Sequence, residues 1–259
     1  MAEELRTVAG VRVEWIEKGA GPPILFLHPG IGIAPDAPVL ERLAARGRVF
    51  APSHPGFGRS EQPKDMTTVD DLAYFYLDLM DELRLEQVTL VGVSFGGWIA
   101  AEIAVKSCAR IARLVLADPL GIKVGARDER DIADMFAMTE ADFLAHAYAA
   151  PEAQKRDYKS MSEADLLPIA RNREAMARYG WQPYMHDPKL KQRLHRVRVP
   201  TLVLWGEADR IAAPDYGRAY AAALPAASFE LVPRSGHFPH VEAPDAFASR
   251  VLAFMETAP

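Results

Sequence analysis

Ser94 sits between two glycines, in Gly92-Val93-Ser94-Phe95-Gly96, directly after the apolar run Val88–Val91. A serine hydroxyl is a poor nucleophile at neutral pH. It needs a histidine beside it as base, and a third group to orient that base. The apolar run reads as a buried strand and Trp98–Ala104 reads as a helix. Together they make the pentapeptide a strand–turn–helix elbow that lifts a hydroxyl above a sheet edge. A side chain at Gly92 or Gly96 would crowd such a turn. Ser94 itself is expected in strained backbone geometry, at a cost of ~1–3 kcal/mol.

Partners for the serine have to lie at the same edge. His237 follows the apolar run Phe229–Val232 across the short loop Pro233-Arg234-Ser235-Gly236. Taken alone it reads as a surface-loop histidine. A loop after the last core strand, however, lies at the carboxyl edge of the sheet, the edge that carries the elbow. Asp209, in Gly206-Glu207-Ala208-Asp209-Arg210, follows the run Leu202–Trp205 and reaches that edge as well. The chain order Ser94, Asp209, His237 is the one expected of an elbow-bearing α/β sheet.

The elements needed to position these residues are legible as periodicities. Val11–Glu17 alternates apolar and polar side chains as a half-exposed strand does, whereas Pro23–His28 is continuously apolar and fits a strand covered on both faces. Leu40–Ala45 reads as helix, Val49–Ala51 as strand, and Thr68–Leu83 as an amphipathic helix with Leu72, Phe75, Tyr76 and Leu79 on one stripe. After Val88–Val91 come helix Phe95–Val105 and strand Leu114–Ala117. This alternation calls for a parallel sheet wrapped by helices. It stops at Asp118-Pro119. From Leu120 to His195 the signals are helical, at Ile132–Met138, Glu140–Tyr148, Glu163–Tyr179 and near Leu190–Leu194, with Thr139 and Ser162 as N-caps. Strands return at Thr201–Trp205 and Phe229–Val232, followed by helix Asp245–Met255. The expected organisation is an α/β core over 1–119 and 196–259, interrupted by a helical insertion at 120–195. An insertion of about 75 residues is too long for one structureless loop.

Bulk properties narrow the function class. The chain has 259 residues, 49% hydrophobic and 25% charged, an ordinary soluble composition. A net charge of −5 argues against a nucleic-acid partner. The single cysteine, Cys108, excludes an intrachain disulfide and reads as a small buried hydrophobe. The acidic start Met1-Ala2-Glu3-Glu4-Leu5-Arg6 is unlike a secretory signal, and no apolar stretch reaches the ~18–20 residues needed to span a bilayer. A cytoplasmic protein without a membrane partner is expected, its oligomeric state left open. The histidines and carboxylates lack the spacing of a zinc helix or calcium loop, and the glycines lack that of a nucleotide loop. Neither metal nor cofactor is expected.

Five motifs in order carry a resemblance to the α/β-hydrolase superfamily. They are His28-Pro29-Gly30, Pro55-Gly56-Phe57-Gly58-Arg59-Ser60, the Gly92–Gly96 elbow, Trp205-Gly206-Glu207-Ala208-Asp209 and Ser235-Gly236-His237-Phe238-Pro239-His240-Val241-Glu242-Ala243-Pro244. The resemblance implies an α/β-hydrolase fold, with a mostly parallel central sheet and the insertion as a helical cap. It makes Ser94 the nucleophile, His237 the general acid/base and Asp209 its orienting carboxylate. Asp118, at the end of the preceding core strand, and Glu207 are the alternative acids. His28 is expected to structure the oxyanion loop, and His240 to pack under the final helix. One oxyanion donor would be the amide of Phe95. The other is expected at Gly30, with Ile31 its neighbour, because Pro29 replaces the family's usual glycine and has no N–H.

The chain most resembles small bacterial carboxylesterases and the hydrolases that cleave carbon–carbon bonds of ring-fission products. Many of the latter carry asparagine before the serine and tryptophan after the histidine. Val93 and Phe238 stand there in this chain, so an ester substrate ranks above a ketone. A ligand receptor on a hydrolase fold, with slow turnover, is the reading from another class. Aromatic and thioether side chains of the insertion suggest an apolar pocket roof, with Met138, Phe143, Trp181, Tyr184 and, from the core, Phe238 as lining candidates. The insertion holds twelve Lys and Arg against twelve Asp and Glu, so no anion funnel is expected. A single arginine such as Arg171, Arg173 or Arg178 would suffice to hold a carboxylate.

Overall fold

The computed structural model describes residues 4–126 and 128–257. The chain opens with the hairpin β1 (Glu4–Val8) and β2 (Val11–Trp15), a two-stranded sheet of its own. β3 (Glu17–Lys18), β4 (Pro23–Leu27), α1 (Pro38–Ala44), β5 (Arg48–Phe50) and α2 (Val69–Glu82) follow. Next come β6 (Val88–Val93), α3 (Phe95–Lys106) and β7 (Ile111–Ala117). The stretch to residue 200 adds no strand to the sheet among the described residues. It holds α4 (Glu140–Ala147), α5 (Glu163–Gly180) and the short α6 (Leu190–Arg193). β8 (Thr201–Gly206), α7 (Pro214–Ala222), β9 (Ala227–Val232), α8 (Pro239–Glu242) and α9 (Pro244–Glu256) complete the chain.

The main sheet has seven strands in the order β3-β5-β4-β6-β7-β8-β9, antiparallel at β3 and parallel elsewhere. Period-two alternation divides its side chains between two cores. Leu25, Leu27, Leu90, Leu114, Leu116, Val203 and Trp205 share one cluster with α2 and α3. Ile24, Phe26, Val91, Val93, Val115, Leu202 and Leu204 share the other with α1 and α9. α2 illustrates how sequence makes an element. Thr68 and Asp71 form a reciprocal capping box, and Leu72, Phe75, Tyr76 and Leu79 are buried on one stripe.

Strand order reverses between β4 and β6, because β5 lies on one side of β4 and β6 on the other. In open α/β sheets such a switch point opens a crevice at the carboxyl ends of the strands. Residues 132–138, expected as helix, form turns instead. Their backbone is claimed by tertiary partners: the Ala133 amide donates to Ile211 O at 2.8 Å, and the Met135 amide to the Tyr184 hydroxyl at 2.8 Å. Among the described residues no helix is long and apolar enough to cross a membrane.

Candidate active site

Ser94 lies between the end of β6 and the start of α3 with φ 52° and ψ −114°, a conformation that L-residues rarely adopt. Two close approaches impose it. A Cβ on Gly92 would lie 2.4 Å from Gly96 O, and one on Gly96 would lie 2.1 Å from Leu27 O. Glycine at both positions therefore lets α3 start directly against β6 and β4. The Ser94 amide donates to Ala117 O at 2.8 Å, tying the elbow to the end of β7.

The strand-end loops bring the three sequence-predicted residues together in a buried chain of hydrogen bonds. Ser94 Oγ lies 2.7 Å from His237 Nε2, and His237 Nδ1 lies 2.8 Å from Asp209 Oδ2. A carboxylate only accepts, so Nδ1 carries the ring hydrogen and Nε2 is left to accept from the serine hydroxyl. The second oxygen of Asp209 accepts from the amides of Ile211 at 2.8 Å and Ala212 at 3.2 Å, which fixes the carboxylate. The His237 amide donates to Ala147 O at 2.8 Å, so the C-terminal end of α4 braces the histidine loop. Glu242 braces the same junction by accepting from the amides of Gly236, Ala149 and Ala150. Asp118 directly follows β7, lies beside Asp209 and is completely buried, whereas Glu207 is exposed.

The loop after β4 is locked by a pair of stacked histidines, His28 and His54, with ring centroids 3.7 Å apart. His28 Nε2 accepts from the His54 amide at 2.9 Å, so its Nδ1–H donates to Pro29 O at 2.7 Å. His54 in turn donates from Nε2 to His28 O at 2.8 Å. Burial pushes His28 down to about 4, so the pair is neutral at pH 7. His240 packs against Phe26, Phe238 and Phe247, the last on α9, and burial takes it down to about 3.

Above Ser94 lies a cavity of about 130 Å³. Its lining includes the apolar residues Gly30, Ile31, Phe143, Leu144, Met176 and Phe238 and the polar or charged residues Glu140, Gln154, Arg156, Tyr158 and Arg173. The amides of Gly30, Ile31 and Phe95 donate no hydrogen bond among the described residues. Gly30 abuts Met176, whose sulfur lies 2.3 Å from where a Cβ would be. Of the pocket candidates, Phe143 and Phe238 line this cavity, while Met138 sits half-buried in the turn before α4. Trp181 and Tyr184 line a different groove, with Asp131, Asp134 and His186. The Tyr184 hydroxyl is tied to Ala133 O and the Met135 amide, and Trp181, just past α5, is 61% exposed.

Of Arg171, Arg173 and Arg178, Arg173 lines the cavity. Arg171 donates to Ser60 O at 2.7 Å, and Arg178 pairs with Glu174. Sequence reasoning missed Asn172. It is buried on α5, accepts from the Gly58 amide at 2.8 Å, and donates to Ile31 O at 3.0 Å, anchoring the loop beside Gly30. Its only signal was a polar residue on the stripe that continues with Met176 and Tyr179.

The arrangement can activate a hydroxyl for attack on an electrophile seated in the cavity. The chain is similar to several known proteins. A 2-hydroxy-6-oxo-6-phenylhexa-2,4-dienoate hydrolase from Burkholderia cepacia is 26% identical over 282 aligned residues, covering 96% of this chain and 92% of the relative. A meta-cleavage product hydrolase superposes with a TM-score of 0.81 at 20% identity, over 99% of this chain and 98% of that one. Naproxen esterase from Bacillus subtilis gives 0.77 at 18% identity, over 98% and 91%. Both structural likenesses speak to the fold, a mostly parallel sheet flanked by helices. Residues 24–250 match the model described as "Alpha/beta hydrolase family", and the chain belongs to that family.

Proposed function

We propose that the protein is a serine hydrolase that cleaves small to medium, mainly apolar carboxylic esters through an acyl-enzyme on Ser94. The observation that carries this reading is the buried Ser94–His237–Asp209 hydrogen-bond chain beside a cavity whose lining is mainly apolar. In this reading residues 120–195 are a helical cap that supplies Phe143, Leu144 and Met176 as the cavity roof.

Ser94 Oγ attacks the ester carbonyl carbon as His237 Nε2 takes its proton, and Asp209 stabilises the imidazolium that forms. The tetrahedral oxyanion is held by the free amides of Phe95, at the N-terminus of α3, and Gly30. The C–O bond then breaks and the alcohol leaves with the proton from His237. Water, deprotonated by the same nitrogen, attacks the acyl carbon, and release of the carboxylic acid restores the serine. A cavity of about 130 Å³ is near the ~150 Å³ apolar void that takes up benzene, which favours short acyl or single-ring groups.

Carbon–carbon hydrolysis of a ring-fission product is the second reading. It is favoured by the Burkholderia relative, which aligns over nearly all of this chain. Turnover of p-nitrophenyl esters of graded acyl length, beside one ring-fission diketone, separates the readings. Multiple turnovers greatest on short acyl chains and abolished by Ser94→Ala are expected. A single stoichiometric burst would indicate a receptor, and faster cleavage of the diketone would move the substrate to carbon–carbon bonds.

A further inference from the structure

Asp118 is buried at zero exposure and takes no direct part in the reaction proposed above. Its backbone is strained, with φ 45°, and its amide donates to Leu204 O at 3.0 Å, so the side chain is held where β7 and β8 end together. One carboxyl oxygen accepts from the Gly206 amide at 2.8 Å. The other, Oδ2, is buried and finds no donor. Yet the side-chain ligand atoms of Asp118, Asp209 and His237 all lie within 4.8 Å of one another. Among the described residues, neither carboxyl has a lysine or arginine as ion-pair partner, and Asp209 has only His237. The other charged group acting on Asp118 is Glu242 on α8, which is also acidic.

Two carboxylates this close, away from water and without a cation, cannot both be ionised. Asp209 is the one with donors to support its charge: two backbone amides and the His237 ring. An ionised Asp118 would also leave a charged oxygen buried and unpaired, whereas a protonated one has an acceptor beside it. We propose that Asp118 is a neutral carboxylic acid that donates a hydrogen bond to Asp209 and is the positioning residue for the carboxylate that orients His237. Burial and the neighbouring Asp209 both raise the Asp118 carboxyl well above its ordinary range, in the same direction.

This inference rests on the serine-hydrolase reading for its kinetic consequence, but its protonation state can be read without turnover. Infrared difference spectra at pH 7 between the wild type and Asp118→Asn are expected to contain the C=O stretch of a protonated carboxylic acid, lost in the variant. No such band would overturn the proposal even if the enzyme is a serine hydrolase.

Kinetically, Asp118→Ala removes the donor, lets Asp209 swing and should lower kcat by ~10–10²-fold, the scale of a misplaced catalytic group. Removing a donor also concentrates charge on Asp209. That favours the imidazolium and should move the acid limb of kcat/KM to higher pH. Asp118→Asn still offers an N–H to Asp209 and an oxygen to the Gly206 amide, so it should rescue both rate and acid limb. An Asp118→Ala enzyme with wild-type kcat and acid limb would overturn the proposal. So would an Asp118→Asn acid limb displaced to lower pH, since that would mean a negative charge had been removed. Should Asp118→Ala fail to fold, the infrared and Asp118→Asn results still decide. If Ser94→Ala keeps full activity, the serine-hydrolase reading fails while the infrared prediction stands.

Discussion

At the scale of single residues, the roles proposed for Ser94, His237 and Asp209 differ in what their loss should cost. Ser94→Ala and His237→Ala each remove a group that makes or breaks a bond, and should lower kcat by ~10⁴–10⁶-fold. Asp209→Asn keeps the shape but disturbs the histidine tautomer, so a smaller loss of ~10³–10⁴-fold is expected in the same steady-state assay. A near wild-type rate for Asp209→Asn would shift the acid role to another carboxylate. These three positions were legible in the sequence because chemistry limits the residue types and topology limits the edge. Asn172 was not legible, because an asparagine on a helical stripe has no local signature until the loop it anchors is folded against it.

At the scale of elements, most core strands and the long helices followed from period and capping, whereas β1 and α7 have no counterpart in the sequence reading and β7 begins three residues before the run Leu114–Ala117. The misreadings between residues 120 and 195 share a cause. At 132–138 the helical spacing was outweighed by tertiary hydrogen bonds that its amides donate to Ile211 O and the Tyr184 hydroxyl, and Trp181 and Tyr184 were assigned to the pocket from their chemistry alone. Which face of an inserted helix looks inward depends on how the insertion docks, and composition carries no record of that. Two outcomes are expected at this scale. Phe143→Ala, on α4 in the cavity wall, should raise kcat/KM for longer acyl chains relative to acetyl; a uniform loss would assign Phe143 a packing role alone. Gly96→Ala should destabilise by ~3 kcal/mol or more in urea melts, because its methyl would meet Leu27 O at 2.1 Å. An unchanged midpoint would mean that the elbow tolerates a side chain.

For the whole molecule, the buried histidines make stability depend on pH. His28 is held at about 4 and His240 at about 3, against about 6.5 in an unfolded chain. From pH 6.5 down to about 4, the unfolded state binds protons that the folded state refuses. Stability is therefore full above 6.5 and falls across that window, at a slope approaching about 1.4 kcal/mol per pH unit for each histidine. Urea unfolding at pH 7.5 and 5 measures this directly. Equal stability at both would mean that these histidines are already charged or solvated in the folded protein.

Hydrolysis through an acyl-enzyme requires that Ser94 become covalently acylated during turnover. Rapid acid quench of the enzyme with a p-nitrophenyl ester, followed by intact-mass and peptide mapping, tests it most directly. A single acyl adduct is expected on the peptide carrying Ser94, absent in Ser94→Ala. Sustained hydrolysis with no adduct on that peptide, or full activity in Ser94→Ala, would contradict it.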